Sequence, residues 1–515
     1  MDMTTDNLQI RWYSGYIRNW QALCDELSLA TDLSREAREE AILKAAYAQW
    51  GMEMMAHLYG AFAFALYDGG QQKLYVVRDQ VGQKQMFYTV AAGELLCSGD
   101  INEIAADPRV EKRLNKRMLQ QYLFYGYPIG DETFYEGVYK LCPGHYAVWD
   151  GENVTVTRYW QPVFAPDHSK TDDEWAEEIA KVVDEILSEE RADAALPYKE
   201  SFLSGGVDSS YLLAASDAQY ANTVGYAETG FDESALARDT AAELGKGFRA
   251  KEIAPDEFFA RIPETIDKMG QPLGDASAVA FSLGCAAVAE HAKVVYSGEG
   301  IDEFFGGYNA HSRQLPSDWV YLTCSHIMSE DVLRALMMDF DENVHAADPV
   351  MPFWNATEGQ DDLSRKLTID ISLWLEGDIY LNTDRTSTAN GVELHTPFSD
   401  LRLFNVASRI PAEHKFSHDQ NKYAFRKAAA GKLPDEVAFR KKVGFPVPVR
   451  KWLADPAYNQ PIADKLFGES AQLFFKQDEL RDWWTRYLGG EEFLWNRLYA
   501  VYAFLLWYDL KFSKN

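Results

Sequence analysis

Phe202-Leu203-Ser204-Gly205-Gly206-Val207-Asp208-Ser209-Ser210 is an apolar pair running into two glycines, an aspartate and two serines. Glycines at 205 and 206 can take backbone angles closed to other residues, which lets main-chain N–H groups crowd an anion. Ser209 and Ser210 add hydroxyl donors, and a helix starting there would turn its positive dipole end toward the same anion. Asp208 would repel bare phosphate, so its natural role is to hold Mg²⁺ against it. The lysine of a P-loop is absent. The stretch therefore predicts a strand, a phosphate cradle and a helix of a different kind.

A second stretch repeats the logic. Val294-Val295-Tyr296-Ser297 is an apolar strand followed by Gly298-Glu299-Gly300-Ile301-Asp302-Glu303 and Gly306-Gly307-Tyr308. Three carboxylates so close together are costly unless a metal or substrate offsets them. Between and around these stretches, strands predicted at Glu200 to Leu203, Thr223 to Glu228, Phe248 to Ile253 and Lys293 to Ser297 alternate with helical patterns. That alternation indicates a parallel sheet flanked by helices, with ligands at the carboxyl ends of its strands. Asp172 or Asp173 would cap a helix running to about Arg191, and beyond residue 310 the pattern is mainly helical.

The earlier part reads differently. Strand signals at Leu8 to Tyr13, Gly60 to Tyr67, Lys73 to Arg78, Gln85 to Val90 and His145 to Trp149 are separated by turns such as Asp68-Gly69-Gly70. Helices are expected from about Arg35 to Trp50 and Lys116 to Tyr125. This part is α+β with antiparallel sheets, and the later part is α/β. A polar seam at Ala165-Pro166-Asp167-His168 divides them, giving expected domains at 1–164 and 172–515.

With 515 residues the chain suggests two or three domains, and its formal charge of −29 excludes a general binder of nucleic acid or anionic membrane. Five scattered cysteines without a CxxC fit reduced thiols better than disulfides or zinc. The N-terminal residues are acidic and polar, and the apolar run Leu498 to Leu506 is too short to span a bilayer. A cytoplasmic protein is expected.

Phe202 to Ser210, Gly225-Tyr226 with Phe231-Asp232-Glu233-Ser234, and Ser297 to Tyr308 resemble, in order, the synthetase domain of the asparagine synthetases. So do Asp384-Arg385-Thr386-Ser387 with Gly391-Val392-Glu393, Thr396-Pro397-Phe398, Asn421-Lys422-Tyr423 and Arg440 to Pro448. The resemblance implies an ATP-pyrophosphatase fold with a helical C-terminal region, similar to the adenine nucleotide alpha hydrolases. It implies conversion of a carboxylate to an acyl-adenylate with ATP and Mg²⁺, followed by displacement of AMP by ammonia or a primary amine. Carried over by residue, Ser204, Gly205, Gly206, Asp208, Ser209 and Ser210 would hold pyrophosphate and Mg²⁺. Leu203 and Val224 would meet the adenosine, Ser297 and Gly298 the nucleotide, and Asp302 a second metal side. Glu299 is the candidate base for the incoming amine. Lys422 and Lys442 are placed to meet charge on the α-phosphate and leaving pyrophosphate. The family often has Arg where this chain has His395.

Gly60 to Asp68, Arg78-Asp79-Gln80-Val81-Gly82-Gln83-Lys84, Thr133 to Val138 and Leu141-Cys142-Pro143-Gly144-His145 resemble the family's class II glutaminase. That implies an Ntn-type αββα-like domain, truncated here before the family's first strands. Its chemistry uses an N-terminal cysteine, yet Met1 is followed by Asp2 and the first cysteine, Cys24, sits in a helical pattern. The family's Asn-Gly-Glu reads Ser14-Gly15-Tyr16, and its Ser-Asp-Thr-Glu turn reads Ala37-Arg38-Glu39-Glu40. Arg38 would set like charge against glutamine's ammonium, so the glutaminase is expected to be inactive. The expectation is an amide-forming ligase, with three alternatives: ammonia-dependent asparagine synthesis, an intramolecular cyclase of the β-lactam synthetase or lasso-peptide type, or a non-catalytic scaffold. The acyl substrate, aspartate or a specialised acid, stays open, as does a homodimer.

Overall fold

The computed structural model describes residues 5–513 except 194, 195, 197, 229, 313–325 and 442–445. The front part begins with β1 (Leu8–Ile17), α1 (Arg35–Trp50), β2 (Gly60–Asp68) and β3 (Lys73–Arg78). After them come β4 (Phe87–Ala91), β5 (Glu94–Ser98), α2 (Lys116–Tyr125), β6 (Tyr139–Lys140), β7 (His145–Trp149) and β8 (Val154–Arg158). One antiparallel sheet has the order β1-β2-β3-β7-β8, and a smaller one the order β5-β4-β6. Residues on β2 alternate between two buried faces. Phe62 and Phe64 pack under Ile42, Leu43 and Tyr47 of α1. Ala63 and Ala65 face Met86, Leu95 and Leu141. Helix, sheet and second sheet therefore form successive layers.

β1 runs four residues beyond its expected end at Tyr13. Ser14, Gly15 and Tyr16 pair with Ala63, Phe62 and Ala61 as strand residues. Gly15 sits at φ +113, and a Cβ there would lie 2.0 Å from the Ala61 carbonyl oxygen, so glycine is required for the strands to close.

The later part starts with α3 (Asp172–Ala192), then β9 (Glu200–Phe202), α4 (Val207–Ala215), β10 (Tyr220–Gly225), β11 (Gly247–Glu252), α5 (Ser277–Ala289) and β12 (Val294–Tyr296). It ends with α6 (Ile301–Phe305), a π-helical stretch (Asp370–Tyr380), α7 (Leu381–Ala389), β13 (Glu393–His395), α8 (Tyr423–Ala429) and α9 (Trp495–Phe512). The cap of α3 is Thr171, in a reciprocal capping box with Glu174, and not Asp172 or Asp173. The parallel sheet has the order β11-β10-β9-β12-β13. β9 is its switch point: the chain leaves toward β10 on one side and β12 lies on the other. Loops after β9 and β12 therefore open beside each other at the sheet's carboxyl end.

The polar seam is not a physical gap. Tyr122 of α2 and Phe134 share one core with Tyr499, Phe504 and Trp507 of α9. The Phe134 and Trp507 rings meet edge-on with centroids 4.9 Å apart. Among the described residues no helix is long and apolar enough to cross a membrane.

Candidate active site

The strand β9 ends and α4 begins within five residues, and the loop between them is shaped by glycine. Gly205 takes φ +76, and Gly206 is the N-cap of α4. The Ser204 N–H donates to Ser209 Oγ at 3.1 Å, which closes the loop on itself. Ser204 and Ser209 hydroxyls lie 3.2 Å apart on the cavity side. Ser210 is turned the other way: fully buried, it donates to the Gly206 carbonyl at 2.8 Å. That bond back along the first helical turn spends its hydroxyl proton within the helix, and the residue does not line the cavity.

The loop after β12 touches the first. A Cβ on Gly298 would lie 3.3 Å from Asp208 Cβ, so the two loops are packed backbone to backbone. Ser297 Oγ donates to Glu299 Oε1 at 2.8 Å, which holds the carboxylate at the cavity edge. α6 follows with Asp302 in its first turn. Gly307 must be glycine, because a Cβ would sit 1.6 Å from Asp302 Oδ1.

Lys422 joins the two loops. It stands at the start of α8 in left-handed backbone geometry, φ 57, and its side chain is 1% exposed. Its ammonium lies 2.6 Å from Asp208 Oδ2 and 2.7 Å from Asp302 Oδ1. Lys422 thus lies buried between the two loops rather than on the surface. Two carboxylates converging on one point are oxygen donors suited to a hard divalent cation. Among the described residues the lysine occupies that point.

Together these residues border a cavity of about 420 Å³. Leu203, Ser204, Gly205, Gly206, Asp208 and Ser209 line it from the first loop. Val224 of β10 and Ser297, Gly298, Glu299, Asp302 and Lys422 line it as well, whereas Ser210 does not. Lys442 lies outside the described residues. Arg440, quoted only as part of a motif, donates to the Gly205 carbonyl at 2.7 Å and pins the cradle.

The opposite wall was not legible as a site. It consists of Asp275, Ser277, Trp374, Ile379, Asn382 and Thr383. Asp275 receives the Ser277 N–H at 2.9 Å, an Asx turn ahead of α5 that offered the only local signal. Trp374 and Ile379 project from the π-helical stretch, and Asn382 and Thr383 from α7.

That wall is held from behind by the front part. Arg78, fully buried, donates to the Lys84, Gly82 and Leu141 carbonyls and reaches Glu376 Oε2 at 3.1 Å. Lys140 Nζ reaches Glu376 Oε1 at 2.6 Å. Lys84 Nζ lies 2.9 Å from Asp384 Oδ1, and the Gln85 N–H donates to Asp384 Oδ2 at 3.1 Å. The Arg78 to Lys84 motif is thus spent on gripping the cavity wall.

A second buried contact covers Ser14 to Tyr16. The Tyr16 ring stacks on His395, centroids 3.8 Å apart. His395 contacts Glu190 and Glu393, each at 2.8 Å. Arg18 reaches Glu190 at 2.7 Å and Asp400 at 2.6 Å, and Arg35 reaches Glu393 at 2.6 Å. These carboxylates raise the His395 pKa against the opposing effect of its burial. Arg38 is buried over the Trp20 ring at 3.7 Å and lies 3.2 Å from Asp193. Cys24 is buried and its thiol pKa is raised by that burial. Arg385 donates to the Lys268 carbonyl at 3.0 Å and pairs with Asp100.

An antiparallel Ntn-like amidotransferase-type unit, packed on a parallel sheet with glycine loops at its switch point, defines a two-part synthetase. The Asparagine synthase family model matches residues 176–509, and the Glutamine amidotransferase domain model matches residues 2–160. The chain belongs to the asparagine synthase family. It is 27% identical over 547 aligned residues to glutamine-hydrolysing asparagine synthetase 1 of Bacillus subtilis, covering 98% of this chain and 86% of that protein. A putative glutamine-hydrolysing asparagine synthetase of Mycobacterium bovis is 32% identical over 496 residues, covering 86% of this chain and 75% of that one. Amidase chyE of Penicillium rubens is 26% identical over 496 residues, covering 81% and 71%.

Proposed function

We propose that the chain is an ATP-dependent, AMP-forming amide ligase whose front domain is a scaffold without glutaminase activity. The observation that carries this reading is the convergence of Asp208 and Asp302, from adjacent strand-end loops, on the Lys422 ammonium. A carboxylate oxygen of the acid substrate attacks the α-phosphorus of ATP, the bond to pyrophosphate breaks, and an amine nitrogen then displaces AMP from the acyl carbon. Ser204, Gly206 and Ser209 would cradle the leaving pyrophosphate, and Leu203 and Val224 would border the adenosine. Asp208 and Asp302 would hold Mg²⁺, which when bound screens phosphate charge. Lys422 would then turn its ammonium from the carboxylates to the phosphate oxygens. Glu299, oriented by Ser297, would take the proton that the attacking amine must lose. Lys442 would complete the charge around the α-phosphate.

The inactive-glutaminase part rests on occupied space. Tyr16 is stacked on His395, Arg38 is paired and buried, and Cys24 is inside the core, which leaves none of the three facing a glutamine. The nitrogen would come as ammonia or a primary amine. Exchange of labelled pyrophosphate into ATP, driven by aspartate and by a panel of related acids, tests the ligase. Exchange with one or more acids is expected. Tight Mg·ATP binding without exchange for any acid would replace the ligase with a non-catalytic scaffold, and robust asparagine formation from aspartate and ammonium would fix the acid as aspartate.

A further inference from the structure

The front part meets the later part at a point that leads to Glu299 by a short route. Tyr16 lies near the end of β1 and Arg18 just past it, two residues on, so both side chains leave the strand on one side. Arg18 Nη2 donates to the Tyr16 hydroxyl at 2.9 Å, which fixes the pair to each other. From that pair, the Tyr16 ring stacks on His395 and Arg18 Nη1 donates to Asp400 Oδ2 at 2.6 Å. His395 ends β13, and a 3-10 turn at Pro397–Ser399 carries the chain on to Asp400. Tyr16 and Arg18 thus grip residues 395–400 at both ends.

Between those ends the same segment holds the Glu299 loop. The Ser297 N–H donates to the His395 carbonyl at 2.9 Å, and Ser399 Oγ donates to the Glu299 carbonyl at 3.0 Å. The Tyr380 hydroxyl donates in turn to Ser399 Oγ. Gly300 lets the serine come this close: its φ is +97, and a Cβ there would lie 2.7 Å from Ser399 Oγ. The loop is therefore tied on both sides of the residue whose carboxylate Ser297 Oγ orients. Tyr16, Arg18, His395 and Ser399 are all buried, and none of the four lines the cavity.

We propose that Tyr16, Arg18 and Ser399 are positioning residues for Glu299, so that the front part serves the amide-forming half of the reaction. The proposal rests on the reading of Glu299 as the base for the attacking amine. A base must stand within hydrogen-bond reach of the proton it takes, and it does so only when the groups behind it are locked. Here the lock is an aromatic stack and two buried ion pairs, and breaking such a pair strands a charge that water cannot reach. The phosphate cradle is secured differently, by Ser209 within its own loop and by Arg440 of the later part. Loosening the end of β1 should therefore disturb amine attack and spare adenylation.

Kinetics and hydrogen exchange on the full-length protein test this, with aspartate and related acids as acyl probes and ammonium or hydroxylamine as the nitrogen. Tyr16→Ala should slow amide formation from ammonium about tenfold or more, the scale of a misplaced group, with pyrophosphate exchange at the wild-type rate. Hydroxylamine is uncharged near neutral pH and needs no base to free its lone pair, so hydroxamate should form at the wild-type rate. Tyr16→Phe keeps the ring on His395 and should restore amide formation. Ser399→Ala cuts the tether without touching the front part, guards against a variant that fails to fold, and should show the same split. In Tyr16→Ala and Ser399→Ala, backbone hydrogens of residues 297–303 should exchange faster with deuterium, and those of residues 203–210 should not. That readout needs no turnover. A looser 297–303 loop in a protein that exchanges no pyrophosphate with any acid would sink the ligase reading and leave the coupling standing. Unchanged protection of the loop in both variants, or amide formation and pyrophosphate exchange falling together in both, overturns the coupling.

Discussion

Glu376→Gln removes the one carboxylate that two buried cations of the front part share. Arg78, Lys140 and Glu376 have side chains 0%, 4% and 1% exposed, so water cannot replace the lost charge. Breaking a buried pair from one side costs about 3–5 kcal/mol. Two cations are stranded here, at 3.1 and 2.6 Å, while glutamine keeps one acceptor oxygen. In a chain of this size each kcal/mol moves the melting temperature by about 2 °C, so a fall of about 6–10 °C is expected. The wall carrying Trp374 and Asn382 should loosen with it, and KM for the acid should rise more than KM for ATP, whose cradle lies across the cavity. Differential scanning fluorimetry and pyrophosphate exchange measure the two effects. Glu342→Gln, which breaks an exposed pair with Arg334, serves as the control that should not move. An unchanged melting temperature in Glu376→Gln would refute the grip.

Asp208→Asn should abolish pyrophosphate exchange while the protein stays folded, and full exchange in that variant would remove the metal role. Cys24→Ser should leave every activity as it was; a glutamine-dependent reaction lost on that change would show a working glutaminase. His395 has its pKa raised by Glu190 and Glu393 against its burial, while His395 and Arg18 outweigh the burial of Glu190 and hold it down at about 2. The stabilisation from protonated His395 is therefore complete below its unfolded value near 6.5 and fades as pH rises through the higher folded value. Denaturant midpoints measured from pH 6 to 9 should fall, and His395→Gln should flatten the curve; an equal slope in the variant would refute the assignment.

The elements of this fold announce themselves where local chemistry decides them. α1 and α2 begin and end at the expected residues, and β3 and β7 do as well. β1 was cut short at Tyr13 because Ser14-Gly15 reads as a turn, and only the facing Ala61 carbonyl shows why a glycine belongs inside a strand. β13, three residues long, is a strand because β12 lies beside it, a fact with no trace in its own sequence. The cradle was legible since glycine, serine and aspartate at a strand end have few other uses. Ser210 shared that composition but lies on the inner side of the helical turn, one residue of rotation away from the cavity. The Arg78–Glu376 and Lys84–Asp384 pairs join residues about three hundred positions apart, which no pattern of spacing encodes.

Lys422 gives Asp208 and Asp302 a counter-ion from within the chain. Its ammonium lies between the two carboxylates and offsets part of their negative charge. On the proposed reading, Mg²⁺ binding at these carboxylates would exchange one cation for another. A chelator should then abolish pyrophosphate exchange without unfolding the protein, unlike small domains in which the ion is the core.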